Sequence, residues 1–246
     1  MRRDPETIVH EGPLRILRIA GRSRTLVVSC SDLGRKPKEP PPPQFFGMAT
    51  QGGENHVLFI SDESRSWLNA PGMAERIVAT IEETAREIGA GHIVGLGNSM
   101  GATMLLHLSN LTRIDTILAL SPQYSVDPRL VPEEDRWDRF RRGITAFLYP
   151  SVDRLRVDRT RYYILHGDAQ TELHHALRFP DIDGLSHMIL PGYGHRLAEV
   201  LKQEDELPAL VALALAGRHV RLRKRLLRSG AIRRRTFAAG RATRGA

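Results

Sequence analysis

Ser99 lies in Gly95-Leu96-Gly97-Asn98-Ser99-Met100-Gly101-Ala102, which contains the pattern G-x-S-x-G. The apolar run over residues 92–96 predicts a strand leading straight into Ser99, and residues 100–111 predict a helix leaving it. On so sharp a turn the serine backbone is strained, and glycines two residues to either side remove Cβ atoms that would collide. The hydroxyl is lifted above the sheet, and the amide of Met100 at the helix start points into the same space, where it would stabilise an oxyanion. Serine is a poor nucleophile without a base. Among ten histidines, His195 alone follows a predicted strand and a glycine-rich turn (Gly192-Tyr193-Gly194) and precedes a helix. His187 reads as a strand residue, His174 and His175 as a helical pair, and His92 and His107 as packing or surface positions. A carboxylate must then orient the imidazole and stabilise its charged form. Asp168 ends the run Ile164-Leu165-His166-Gly167 and is favoured by position. Glu172, four residues on, is its rival, since glutamate also serves in this role.

These residues need a scaffold that brings distant segments to one rim. Short β-rich runs alternate with helical patterns along the chain, as in a parallel sheet with crossover helices. Residues 14–19 and 25–29 read as an opening hairpin turned at residues 21–23. Four consecutive prolines from Pro40 exclude helix and mark an exposed loop. Residues 56–60, 92–96, 116–120, 162–165 and 187–190 are the buried strands. Residues 72–88 carry Met73, Ile77, Ile81, Ala85 and Ile88 at helical steps, and Gly89 follows as a stop; residues 197–216 supply closing helix. The charged stretch 133–142, with Trp137 and Phe140 interleaved, falls where a cap insertion over residues 124–158 would sit, and Phe147 lies in the same segment. No internal repeat is present.

The 246 residues suffice for one α/β domain, assigned to residues 1–217, plus an extension. The net charge of +8 belongs to that extension. Residues 218–246 hold eleven of the 36 basic residues and no acidic one, so residues 1–217 carry 25 basic against 28 acidic groups, a net of −3. This distribution speaks against a basic nucleic-acid-binding domain. Within the extension, Leu222, Leu226 and Leu227 among arginines predict a short cationic amphipathic helix suited to anionic lipid or an acidic partner, and beyond Gly230 the composition predicts disorder. A solvated extension without function is the plainer expectation. One cysteine, Cys30, rules out a disulfide framework and a zinc site built on cysteine pairs. His174-His175 lacks the spacing of a helical zinc pair, neither Gly-x-Gly completes a dinucleotide fingerprint, and no P-loop exists, so the expectation is no metal and no cofactor. The acidic turn of Met1-Arg2-Arg3-Asp4-Pro5-Glu6 is unlike a signal peptide, and the expected location is the cytoplasm, with a peripheral place at the inner membrane surface as the alternative.

Taken together, the Ser99 turn, the Asp168 strand end and the His195 loop, in that chain order, resemble the α/β-hydrolase superfamily over approximately residues 12–216. The resemblance implies a mostly parallel central sheet flanked by helices, in three layers. Phe59-Ile60-Ser61-Asp62, Arg65-Ser66-Trp67, the Ser99 motif and Leu120-Ser121-Pro122-Gln123 further resemble a bacterial branch found beside glycosyltransferases and cell-surface polysaccharide genes. What that implies is a serine esterase acting on acylated sugars or glycoconjugates. The second oxyanion donor is then expected at Ser31 or Cys30, after the third strand, and Asp62, Arg65 and Trp67 are candidates for substrate contact. A loop bridge between Asp62 and Arg65 over a packed Trp67 is the competing structural reading. An acyltransferase would use the same residues. A catalytically idle fold serving as an adaptor is the alternative of a different class.

Overall fold

The structure, a computed structural model, describes residues 4–243; residues 1–3 and 244–246, the ends of the two units expected from sequence, lie outside the described residues. The opening hairpin joins β1 (Glu6–Glu11) and β2 (Leu14–Ile19). The expected pairing of residues 14–19 with 25–29 does not form. Instead β2 pairs antiparallel with β4 (His56–Asp62), and β3 (Thr25–Cys30) lies parallel on the far side of β4. Gly21 supplies the reason. A Cβ there would stand 2.2 Å from the Asn55 carbonyl carbon, and the amides of Arg22 and Ser23 both donate to Glu54 O at 2.9 Å. The turn is therefore held against the chain entering β4, not folded back on β2.

Beyond β3 the sheet continues in parallel through β5 (His92–Asn98), β6 (Thr116–Leu120), β7 (Arg161–Gly167) and β8 (Ser186–Leu190). A two-residue strand, β9 (Ile232–Arg233), closes the edge antiparallel to β8. Counted among the described residues, nine strands stand in the order β1-β2-β4-β3-β5-β6-β7-β8-β9. Side chains alternate between the two faces. Leu26, Val28 and Cys30 pack into a layer with α2 (Met73–Glu87) and α3 (Met100–Leu111), while Val27, Val57 and Leu96 pack into the opposite layer with α6 (Leu197–Gln203) and α7 (Glu206–Leu215). The short helices α1 (Phe46–Thr50), α4 (Asp138–Arg141) and α5 (Gln170–Ala176) complete the connections.

The expected closing helix over 197–216 is broken into α6 and α7 at Asp205, whose φ is 56°. Pro208 has no N–H to donate to the carbonyl of Glu204, so a continuous helix would lose a bond there, whereas in the first turn of α7 no such donor is needed. The C-terminal extension also differs from expectation. It folds as α8 (His219–Arg228), β9 and α9 (Arg234–Ala242). Leu222 and Leu226, the stripe expected to face lipid or a partner, are buried against the α6–α7 layer, and Leu227 remains exposed. Arg235 pairs with Asp181 and Asp183, and Arg225 with Glu206. Composition predicted disorder because the extension has no core of its own; its few apolar residues find one in the neighbouring domain. Among the described residues, no helix is long and apolar enough to cross a membrane.

Candidate active site

The carboxyl ends of the central strands carry the candidate residues. β5 ends at Asn98, and Ser99 turns into α3 with φ 51° and ψ −121°, a conformation that costs a non-glycine residue about 1–3 kcal/mol. The flanking glycines are steric necessities. A Cβ on Gly97 would meet the Ala102 amide nitrogen at 2.6 Å, and one on Gly101 would meet the Cys30 carbonyl oxygen at 2.2 Å. The turn can close only because both are absent. Positive φ recurs at neighbouring strand ends, at Arg65, Trp67 and Leu68 after β4 and at Ser121 after β6.

Ser99 Oγ lies 3.0 Å from His195 Nε2, and His195 Nδ1 lies 2.9 Å from Glu172 Oε1. A carboxylate only accepts, so Nδ1 carries a proton toward Glu172; in the neutral imidazole Nε2 is then the acceptor, and the Ser99 hydroxyl donates to it. The orienting acid in this geometry is Glu172, not Asp168. Asp168 Oδ1 instead accepts the Gly192 amide at 2.8 Å, tying the end of β7 to the loop that carries His195. Glu172, in the first turn of α5, is almost wholly buried and reaches back over the strand ends. Burial opposes its ionisation, but the hydrogen bonds from His195 and Arg136 hold its carboxyl well below the usual range.

Two further side chains enter the constellation without having been singled out from sequence as site residues. Gln123 Nε2 donates to Ser99 Oγ at 3.1 Å, while Gln123 Oε1 accepts the Trp67 indole N–H at 2.8 Å. The Leu120-Ser121-Pro122-Gln123 motif was its only signal. Arg136 Nη1 donates to Glu172 Oε1 at 2.8 Å and also pairs with Glu134, whose carboxyl is held at about 2: burial works against the shift, and bonds to His175 and Arg136 outweigh it. Nothing in the spacing of residues 133–142 marks Arg136, because its partner lies 36 positions away. The adjacent Trp137 sets its ring 5.1 Å from that of His195. The insertion between β6 and β7 thus contributes to the site from consecutive residues.

Behind this layer His166 Nε2 donates to the Pro122 carbonyl at 2.8 Å, and its Nδ1 accepts from His187 Nε2 at 2.9 Å. Burial pushes His166 down to about 4, so this pair is neutral and holds the peptide leading into Gln123.

The remaining candidates fall in different settings. Met100 is the first residue of α3, so its amide has no acceptor within the helix and stands free at the Ser99 turn. The Ser31 amide is committed to Ile60 O at 2.9 Å, and Cys30 lies inside β3, paired with Ile60 and Gly97. The Asp32 amide, next along the chain, makes no hydrogen bond among the described residues. Asp62, Arg65 and Trp67 are all buried and do not present themselves to a substrate. Asp62 accepts from Ser64 and Ser66, and Arg65 donates to the carbonyls of Leu33, Lys36, Glu39 and Glu63. The Arg65 amide donates to Asp62 O at 3.2 Å, but among the described residues the two side chains do not pair with each other. Arg65 holds the loop after β3 in place, and Trp67 acts on the site through Gln123. Among the described residues no group of His, Cys, Asp and Glu has a metal-holding arrangement.

Comparison with solved structures gives strong matches across nearly the whole chain. The capsule O-acetyltransferase of Neisseria meningitidis serogroup A superposes with a TM-score of 0.58 at 11% identity, over 82% of this chain and 93% of that one. Est1E from Butyrivibrio proteoclasticus gives 0.55 at 14% identity, over 87% and 99%. XC6422 from Xanthomonas campestris, an α/β serine hydrolase without a lid, gives 0.53 at 12% identity, over 93% and 96%. The chain has the α/β-hydrolase fold. No family model and no curated protein sequence matches it. Within an α/β-hydrolase the order nucleophile, acid, histidine along the chain is the one seen here for Ser99, Glu172 and His195.

Proposed function

We propose that the protein is a serine hydrolase that cleaves carboxylic esters through an acyl-enzyme. The observation that carries this reading is the unbroken hydrogen-bonded chain from Gln123 through Ser99 and His195 to Glu172, with steps of 3.1, 3.0 and 2.9 Å, seated on a strained turn. Ser99 Oγ attacks the ester carbonyl carbon while His195 Nε2 takes its proton, and Glu172 stabilises the imidazolium. The amides of Met100 and Asp32 receive the oxyanion. His195 then returns the proton to the departing alcohol. Water, deprotonated by the same imidazole, attacks the acyl-serine, and the carboxylic acid leaves as Ser99 is restored.

Acylated sugars or glycoconjugates are the substrate class we favour, supported by the sequence resemblance described above. Transfer of the acyl group to a sugar hydroxyl in place of water is the second reading. It draws support from the similarity to the capsule O-acetyltransferase and from the Trp137 ring beside the imidazole, which limits access of water.

A fluorophosphonate probe tests the enzyme reading. Labelling of the wild type and its loss in Ser99→Ala is the expected result; folded wild-type protein that resists labelling would favour a non-catalytic adaptor. Acylated sugar formed from an activated ester in the presence of a sugar acceptor would decide for transfer over hydrolysis.

A further inference from the structure

A cleft of about 340 Å³ opens between the loop after β3 and α4, lined by Arg35, Lys36, Pro37, Lys38, Glu39 and Arg139. Four cations thus face one carboxylate within it. Lys36 pairs with Glu39 at 2.8 Å, and Arg35 reaches out to Glu199 at 2.9 Å, while Lys38 and Arg139 have no acidic partner among the described residues. Like charges gathered around an open space repel, and an anion entering it relieves that repulsion.

The loop that displays these cations is built, not slack. Arg65, 5% exposed, grips it from beneath through the carbonyls of Leu33, Lys36 and Glu39. The guanidinium groups of Arg65 and Arg139 lie 5.5 and 5.9 Å from the ring of Phe140, which joins the loop to α4.

Its position links the cleft to the candidate active site. Arg139 is two residues beyond Trp137, whose ring packs on His195, and Glu199, the partner of Arg35, lies in the helix that leaves His195. The same loop begins at Asp32, beside the Ser99 turn. Along the chain, one wall of the cleft thus continues into Asp32, which accepts from Asn98 beside Ser99, and the other into Trp137 beside His195.

We propose that this cleft binds a phosphate or pyrophosphate group carried by the ester substrate or acyl donor, so that the enzyme selects phosphorylated esters over neutral ones. A guanidinium grips phosphate oxygens in a two-pronged manner, and lysine adds a point charge; Arg139 and Lys38 are the two cations free to do so. The volume suits one or two phosphoryl groups with the reacting ester lying outside it, toward Ser99. The selectivity rests on the esterase reading above, whereas the anion site itself does not.

Two measurements on the full chain separate these claims. Titration calorimetry with inorganic pyrophosphate is expected to show binding to the wild type and to Ser99→Ala, and about tenfold or greater weakening in the double variant Lys38→Ala/Arg139→Ala. Arg223→Glu on the distant α8 serves as a charge control and is expected to bind like wild type. Hydrolysis of phenyl acetate and of 4-acetoxyphenyl phosphate, which share an acetyl group, then reads selectivity. The double variant should lose about tenfold in kcat/KM for the phosphorylated ester alone. Pyrophosphate binding that is absent, or indifferent to the double variant, overturns the anion site. Equal loss on both esters overturns the selectivity. Binding that depends on Lys38 and Arg139 in a protein whose Ser99 resists a fluorophosphonate would keep the anion site and discard the esterase reading.

Discussion

The indole N–H of Trp67 meets Gln123 Oε1 at 2.8 Å, and this contact determines which end of the amide faces Ser99. An indole nitrogen only donates, so the oxygen of Gln123 must turn toward it and the NH2 toward the nucleophile. The hydroxyl of Ser99 then accepts one hydrogen bond and donates another, to His195. A fixed donor at the reacting oxygen favours the alkoxide that develops as the proton leaves. Trp67→Phe should therefore lower kcat/KM about tenfold by releasing the amide, and Gln123→Glu about a hundredfold by replacing the donor with a carboxylate. Stopped-flow acylation rates with a chromogenic ester check both, with circular dichroism to confirm folding.

Glu172 and Asp168 part company on substitution. Glu172→Gln can still touch His195 but no longer enforces the tautomer or balances the imidazolium, and a loss of about 10³–10⁴ in kcat is expected. Asp168→Asn keeps an oxygen for the Gly192 amide and should stay within about tenfold of wild type. Parallel kcat measurements decide the assignment, and the reverse ranking would return the acid's role to Asp168.

Stability should fall on mild acidification before most carboxylates titrate. Burial pushes His107 and His166 down to about 4 from 6.5, so between those values the unfolded chain takes up protons that the folded chain refuses. Their full contribution is present above about pH 6.5, and stability declines toward pH 4 by about 1.4 kcal/mol per pH unit for each histidine. Glu134, held at about 2 instead of 4.5, adds a separate loss as pH falls below 4.5. Denaturant melts across this range measure the slope, which His107→Gln should make shallower between pH 6 and 5.

Much of this architecture was legible because it is written in local periods. The buried strands announce themselves as short apolar runs, and the Ser99 turn as glycines whose absent Cβ atoms are required by contacts of 2.6 and 2.2 Å. Pairing between segments was less legible. The partner of β2 depends on how Gly21 meets Asn55, a contact across 34 positions that no local pattern encodes. Likewise, choosing Glu172 over Asp168 turns on whether the acid stands just past the end of β7 or four residues on, in the first turn of α5. Asp62, Arg65 and Trp67 sit at a strand's carboxyl end, as substrate contacts often do, yet their polar atoms are consumed by their own loop, by the loop after β3 and by Gln123 respectively.

Removal of residues 218–246 should destabilise the whole domain. Leu222, Leu226 and Ala231 are buried in the layer shared with α6 and α7, and β9 covers the free edge of β8. Each leucine contributes about 1.5–3 kcal/mol by burial, so a loss of several kcal/mol is expected, read as a lower urea midpoint. A truncated protein of unchanged midpoint would show that this segment docks without supporting the fold.

Arg136 and Trp137 are neighbours in one irregular segment, yet the first neutralises Glu172 and the second shields His195. Swinging that segment outward to admit a bulky ester would strip the acid of its counter-ion and bare the imidazole to solvent in the same motion. Access to the candidate site and the charge balance of Glu172 are thereby coupled through one segment.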